Sequence, residues 1–199
     1  AIFNYAVQSS VLDHAEMPGG GYVISSDISG AAAQLAEARY PGMVALFLCG
    51  AAGDQAPRQK SSASILGPDG KLTDVERGLE GIEIKNTLGT ELGEALCAAI
   101  AATEPAADSA VIATESRYFQ VPAKVMPDRS EVKARKTIEY QSDGFRETNV
   151  DILRIGDAAI VGVKPELSAV IGTQIREASP FALTMVATMV NGGAKYMAD

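Results

Sequence analysis

The sequence has no tryptophan, a single histidine, two cysteines and only 6% aromatic residues among its 199. Each shortage removes some chemistry. With only His14 available, a histidine-rich zinc site or a Ser-His-Asp triad built within these residues lacks its principal component. His14 itself lies in a glycine-rich loop, Asp13 to Tyr22, where a histidine faces solvent. Ser9 and Ser10 follow a strand, but no glycine-framed nucleophile turn surrounds them. Cys49 and Cys97 sit among apolar residues without C-x-x-C spacing, so both read as buried thiols. Basic residues are also short: 17 Lys and Arg against 25 Asp and Glu give a net charge of −8 and a pI near 4.7. That balance argues against nucleic acid as a partner. The densest basic stretch, Lys133 to Lys136, shares its segment with Glu131 and Glu139, as a solvated helix face does. No apolar run approaches the ~20 residues of a bilayer-spanning helix, so the expectation is a soluble chain with no integral membrane segment, cytoplasmic by default.

What is present is apolar bulk, 47% of the residues, enough to fill the core of one domain spanning residues 1–199. The start, AIFNYAV, reads as a strand already under way, which makes the chain a fragment and its missing N-terminal segment an expected partner. After the strand Ile2 to Gln8, SSDISG leads into a helix over AAAQLAEARY that Pro41-Gly42 ends, with Asp27 as its N-cap. Met43 to Cys49 reads as a strand buried on both faces. Gln59 to Leu79 has little periodicity and reads as a long surface loop. Leu88, Leu92, Leu96 and Ile100 recur at spacings of four, the core stripe of a helix over Ile84 to Thr103. Val111 to Val125 is extended, with breaks at Pro122 and Pro127, and Ser130 caps a polar helix to about Tyr140. Strands at Val150 to Arg154 and Ala158 to Val163 flank a Gly156-Asp157 turn. Pro165 suits a first helical turn, placing a helix at Glu166 to Ala178, and a last strand runs from Leu183 to Val190. Mixed strands and helices without a repeat specify an α/β or α+β fold, a layered single domain with a mixed β-sheet covered by helices.

Unusual residues gather at three strand ends: Gly50 to Arg58, Lys164 to Glu166, and Asn191 to Tyr196. The first is a turn of small residues, GAAGDQAPR, whose backbone can approach a ligand closely and whose N–H groups can converge on an anion or carbonyl oxygen. Asp54 either caps this turn or takes part in catalysis. Glu166, opening a helix, is either favoured by the helix dipole or a metal ligand.

Six ordered segments carry a resemblance: NYAVQSSVL (Asn4 to Leu12), ISSDISG (Ile24 to Gly30), ALFLCGAAGDQAPR (Ala45 to Arg58), TLGTELGEAL (Thr87 to Leu96), RIGDAAIVGVKPEL (Arg154 to Leu167), and SPF (Ser179 to Phe181) with NGGAKY (Asn191 to Tyr196). Together they resemble the neutral/alkaline non-lysosomal ceramidase family, specifically bacterial ceramidase-like proteins related to its amino-terminal catalytic domain. The resemblance implies a hydrolase of amide or related bonds in a small-molecule substrate, with zinc as the cofactor that polarises the carbonyl and activates water. Of the family's ligands, two histidines, a glutamate and a tyrosine, Glu166 matches the glutamate and Tyr196 lies in the tyrosine motif. Gln8 stands where one histidine would be, and the other belongs upstream of Ala1. The resemblance further implies Asp54 and Tyr196 as catalytic residues, and Gly50, Ala51, Ala52, Gly53, Arg58 and Asn191 as the substrate or oxyanion-binding wall. Ala56 replaces a serine of the family turn, and Lys164-Pro165-Glu166 replaces Pro-Gly-Glu. An amide oxygen is a poorer zinc ligand than imidazole, so Gln8 also supports the alternative of a binding-only member that has lost the metal.

Overall fold

A computed structural model describes residues 1–16, 19–21, 24–69, 71–104, 109–125 and 140–197. The elements are β1 (Ile2–Tyr5), α1 (Asp27–Arg39), β2 (Leu46–Cys49), β3 (Ser62–Leu66), β4 (Leu72–Glu76), α2 (Glu80–Ala101), β5 (Ile112–Lys124), β6 (Ser142–Ile155), β7 (Ala158–Val163), β8 (Glu166–Leu167), α3 (Ala169–Ala178), β9 (Leu183–Ala187) and β10 (Tyr196–Met197). The main sheet has the order β5-β6-β7-β9, antiparallel except for the parallel β7–β9 pair. The fold is therefore mixed α/β, with a mixed sheet on which α3 packs, while α1 and α2 pack on the β1–β2 pair.

β1 and β2 form a separate parallel pair. It joins the main sheet through the side chain of Asn4, whose Nδ2 donates to the carbonyls of Leu48 and Val186, both at 2.9 Å. Asn4 Oδ1 in turn accepts the Val186 N–H at 3.3 Å. Val186 is fully buried, so a carboxamide completes backbone pairing that a neighbouring strand would otherwise provide.

The helices are placed by their small residues. A Cβ at Gly89 would lie 2.4 Å from Ala31 Cβ, and one at Gly93 would lie 3.0 Å from Leu35 Cβ, so these glycines let α2 approach α1 closely. Between the helices and the β1–β2 pair, Phe3, Ala32, Ala36, Ala45, Leu96 and Cys97 form one core cluster, with Phe3 and Phe47 rings 5.2 Å apart. A second cluster holds Ala51, Val163, Leu167 and Val186, onto which Ile171 and Ile175 of α3 pack.

Several expectations change. The run ending at Cys49 is not buried on both faces: it is strand only from Leu46, and Leu46 is exposed because the helices cover one face alone. Gln59 to Leu79 is not a long loop. It folds into the β3–β4 hairpin, with Leu66 opposite Leu72, because short polar alternating strands carry little hydrophobic period to read. Glu166 does not open a helix; it starts the short strand β8, and the helix begins at Ala169. β5 runs unbroken through Pro122, whose missing N–H is tolerated at this edge strand, with a register shift between Pro122 and Lys124. β6 extends well upstream of Val150, back to Ser142. The helix expected from Ser130 lies outside the described residues.

Asp27 is buried, but it is not the N-cap of α1: Ser26 holds that position without a side-chain cap bond, and Asp27 is the first helical residue. At φ +54° its Oδ1 accepts the N–H groups of Ile28 and Val11, while Oδ2 accepts that of Leu12. Cys49 and Cys97 are free thiols, and only Cys97 is fully buried. The His14 side chain is exposed, 3.7 Å from Asp13.

Candidate functional site

The three strand ends singled out in the sequence do meet. β8 and β10 form a two-stranded parallel sheet of their own, with Tyr196 opposite Glu166 and Met197 opposite Leu167. Residues paired across adjacent strands send their side chains to the same face. Glu166 N–H donates to Lys195 O at 2.8 Å and Ser168 N–H to Met197 O at 3.1 Å, so the carboxylate and phenol are set by backbone pairing.

The small-residue turn after β2 lies against the same strands. Gly53 N–H donates to Leu167 O at 2.7 Å, and a Cβ on Gly53 would lie 2.7 Å from Glu166 O. Gly50 N–H donates to Tyr5 O, and its own Cβ would meet the Ala6 backbone at 3.0 Å. Ala51 and Ala52 are buried, Ala51 against Gly172 of α3. Close backbone approach thus accounts for small residues at Gly50, Ala51 and Gly53, and the N–H groups of both glycines are engaged within the fold.

Asp54 reaches the start of α3: its Oδ1 accepts the Ala169 N–H at 2.8 Å. That hydrogen bond, followed by one from the Gln55 side chain, lowers the Asp54 pKa below the ordinary aspartate value. The residue is exposed and ionised at neutral pH, and it supplies an acceptor that Ser168, the N-cap of α3, does not give with its side chain.

Gln8 is fixed from both ends. Its Nε2 donates to Ala52 O at 3.0 Å and its backbone N–H to Gln55 O at 2.9 Å. Cys49, half-buried at the end of β2, was not anticipated here. Burial raises its thiol pKa, a hydrogen bond with Thr188 opposes the rise, and the charge of Glu166 adds to it. Thr188 locks β9 to this turn, with Oγ1 donating to Gly50 O at 2.9 Å and N–H donating to Cys49 O at 3.0 Å.

Asn191 lies on a tightly wound segment after β9, where Met189, Asn191 and Lys195 all have φ near +60°. For residues other than glycine such conformations cost about 1–3 kcal/mol each and persist only when surroundings hold them. Asn191 is held by Asp151 on β6. The Asp151 Oδ2 accepts from Asn191 Nδ2 and Asn149 Nδ2, both at 2.8 Å, and its Oδ1 accepts from Ser116 Oγ at 2.6 Å. These bonds, Ser116 first, lower the Asp151 pKa, and the Lys164 charge contributes. Asn149 is buried, and its Oδ1 has no hydrogen-bond partner among the described residues. The sequence held a signal for this cluster: in NVDILRI the polar Asn149 and Asp151 are two apart and share a strand face, with Val150 on the other.

Arg58 is not gathered into this arrangement. It projects toward α2 and forms an ion pair with Glu91 at 2.6 Å.

Zinc, which the resemblance implies, does not fit the donor set described. Among the described residues no three His, Cys, Asp or Glu side chains group as they would around a metal ion. Glu166 offers one carboxylate and Tyr196 a phenol. Gln8 turns its NH2 to Ala52 O, and a flipped amide would set oxygen against oxygen. Zinc sites take three or four nitrogen, sulfur or carboxylate donors.

No family model matches the sequence, and no curated protein matches it. Solved structures do resemble it, two of them as follows. One is a neutral ceramidase from Pseudomonas aeruginosa, 17% identical, with a TM-score of 0.57 over 98% of this chain and 38% of that one. The other is a ceramidase complexed with C2, 16% identical, with a TM-score of 0.57 over 99% of this chain and 39% of that one. The chain thus spans less than two fifths of either, and what it shares with them is their fold: it has a ceramidase-like fold.

Proposed function

We propose that the chain is part of a ceramidase-like hydrolase that acts on an amide or related bond of a small molecule. The observation that carries the reading is the register of β8 on β10, which sets Glu166 beside Tyr196 at the junction of three loops. The likeness to two ceramidase structures supports the same reaction class.

Roles follow from what each group can do. The Glu166 carboxylate takes a proton from the water molecule that attacks the carbonyl carbon and returns it to the nitrogen as the C–N bond breaks, leaving a carboxylic acid and a free amine. The Tyr196 hydroxyl donates a hydrogen bond to the carbonyl oxygen as negative charge develops there. Asp54 stays outside the proton transfers and holds the start of α3, keeping the Leu167 backbone against Gly53. Asn191 and Gly53 line the side along which substrate lies, and the buried Gly50, Ala51 and Ala52 support it from behind.

The test is hydrolysis of a panel of N-acyl amides by the complete gene product, followed by release of free amine. Glu166→Gln is expected to lower kcat by roughly 10²–10⁴-fold, the usual contribution of a general base. Tyr196→Phe is expected to lower it by about 10²–10³-fold, as loss of one oxyanion donor does. Wild-type protein that binds these amides without cleaving them would overturn the reading, as would full activity in Glu166→Gln.

A further inference from the structure

We propose that the outer edge of β5 pairs antiparallel with the same edge of a second copy of this chain, joining two main sheets into one across a two-fold axis at Ser116. Among the described residues β5 is paired on one side only, with β6. Gly156 N–H donates to Val111 O at 2.9 Å, and Ile112 stands opposite Ile155. In an antiparallel ladder, pairs that exchange hydrogen bonds alternate with pairs that do not. Val111 and the odd-numbered residues after it therefore turn their backbone groups toward β6. Ile112, Thr114, Ser116, Tyr118 and Gln120 turn theirs outward.

Edge strands are commonly blunted by a proline, a lysine or a bulge. β5 carries all three, but only at its far end, in Pro122, Lys124 and the register shift between them. From Ile112 to Gln120 none of these devices is present, and every residue is exposed. Ile112 is 71% exposed, Tyr118 63% and Phe119 43%, a large apolar load for a free edge.

The residues of β5 select the register. Copies related by a two-fold axis present one edge to itself, so the axis position fixes every pair. Outward groups meet outward groups only when the axis passes through a residue. An axis at Glu115 sets two carboxylates against each other, and one at Arg117 sets two guanidiniums. An axis at Tyr118 or later puts Pro122, which has no N–H, against an outward residue. One at Thr114 or earlier pairs no more than Ile112 to Ser116. With the axis at Ser116, Glu115 of each copy lies opposite Arg117 of the other. Thr114 then meets Tyr118, Ala113 meets Phe119, Ile112 meets Gln120, and Pro122 falls outside the ladder. Glu115 and Arg117 already pair along their own strand at 2.7 Å, so the two copies complete one cluster of charges alternating in sign. The ladder holds about ten backbone hydrogen bonds, two for each outward pair.

Sedimentation velocity on the complete gene product, with amide hydrogen exchange on the same samples, tests this. A reversible dimer is expected, and the N–H groups of Thr114, Ser116 and Tyr118 should lose protection as dilution dissociates it. Glu115→Arg and Arg117→Glu each set like charges against one another on both sides of the axis. Each is expected to raise the dimer dissociation constant roughly tenfold or more. The double swap restores both pairs and is expected to return the constant to within about threefold of wild type. A protein that stays monomeric at every concentration would overturn the proposal. Protection of those N–H groups in the monomer would also overturn it, by assigning the edge to another part of the same chain. A dimer that neither single variant weakens would place the contact elsewhere. Should a variant not fold, the wild-type dilution series decides alone.

Discussion

Gly53→Ala probes how tightly the turn after β2 is pressed against the strand that carries Glu166. The new methyl would lie 2.7 Å from Glu166 O and 2.9 Å from Leu167 O, and both are backbone atoms that cannot rotate away. Forcing a methyl group into a filled site costs about 1–3 kcal/mol. The displacement also loosens the 2.7 Å bond from Gly53 N–H to Leu167 O, worth about 1 kcal/mol. In the other direction, alanine restricts the unfolded chain and returns about 0.4–1 kcal/mol. The net is a destabilisation of about 1–3 kcal/mol, read as a lower urea midpoint with an unchanged slope. At about 2–4 °C per kcal/mol for a domain of this size, a 2 kcal/mol loss lowers Tm by roughly 4–8 °C. Gly193→Ala is the matched control, because nothing lies within 4 Å of its Cβ. It should leave stability within about 0.5 kcal/mol or raise it slightly. A Gly53→Ala protein as stable as the Gly193→Ala one would refute the packing argument.

Asn4→Ala should destabilise by about 2–4 kcal/mol, since it removes three hydrogen bonds and leaves the buried Val186 N–H and C=O unmatched; a loss under about 1 kcal/mol in urea unfolding would show that another group takes over. Asp54 has a lowered folded-state pKa, so its contribution is present above the unfolded value and lost as pH falls through the folded one. Asp54→Asn should accordingly flatten the acid limb of the stability profile, and an acid limb identical to wild type would discount the Ala169 bond. Asn191→Ala should raise the Asp151 pKa toward its ordinary value and loosen residues 189–195, both visible by NMR titration. Gln8→His should increase zinc affinity in calorimetric titration if position 8 faces the Glu166 and Tyr196 pair; an unchanged affinity would place it elsewhere.

How much was legible in the sequence depended on how far each element's pattern was local. The α2 stripe from Leu88 to Ile100 and the Gly156-Asp157 turn are local signals, and both appear as expected. Glu166 was misassigned because Pro165 at a first helical position and a carboxylate after it look like a helix start. What makes it strand is β10, 30 residues further on, and no local period announces a two-residue pairing. The β3–β4 hairpin escaped for the related reason that exposed short strands need no hydrophobic alternation. At the site, three strand ends with unusual residues were legible; that they meet was not, because β2, β9 and the β8–β10 pair belong to different sheets. The duties of Asp54 and Gly53 were not, because both concern contacts more than 100 residues away in sequence.

Asn4 also bears on the order in which the molecule is assembled. Its bonds to Val186 join residues 182 positions apart, nearly the whole length of the chain. Contacts of such separation carry the largest loop-closure entropy and are slow to form. Val186 presents its N–H and C=O on one edge of β9, and a slip of one residue would turn both toward β7 instead. A single carboxamide therefore sets the reading frame in which β9 delivers Thr188 and Asn191. The strand ends that make the cleft come into register only when β1 and β9 have found each other.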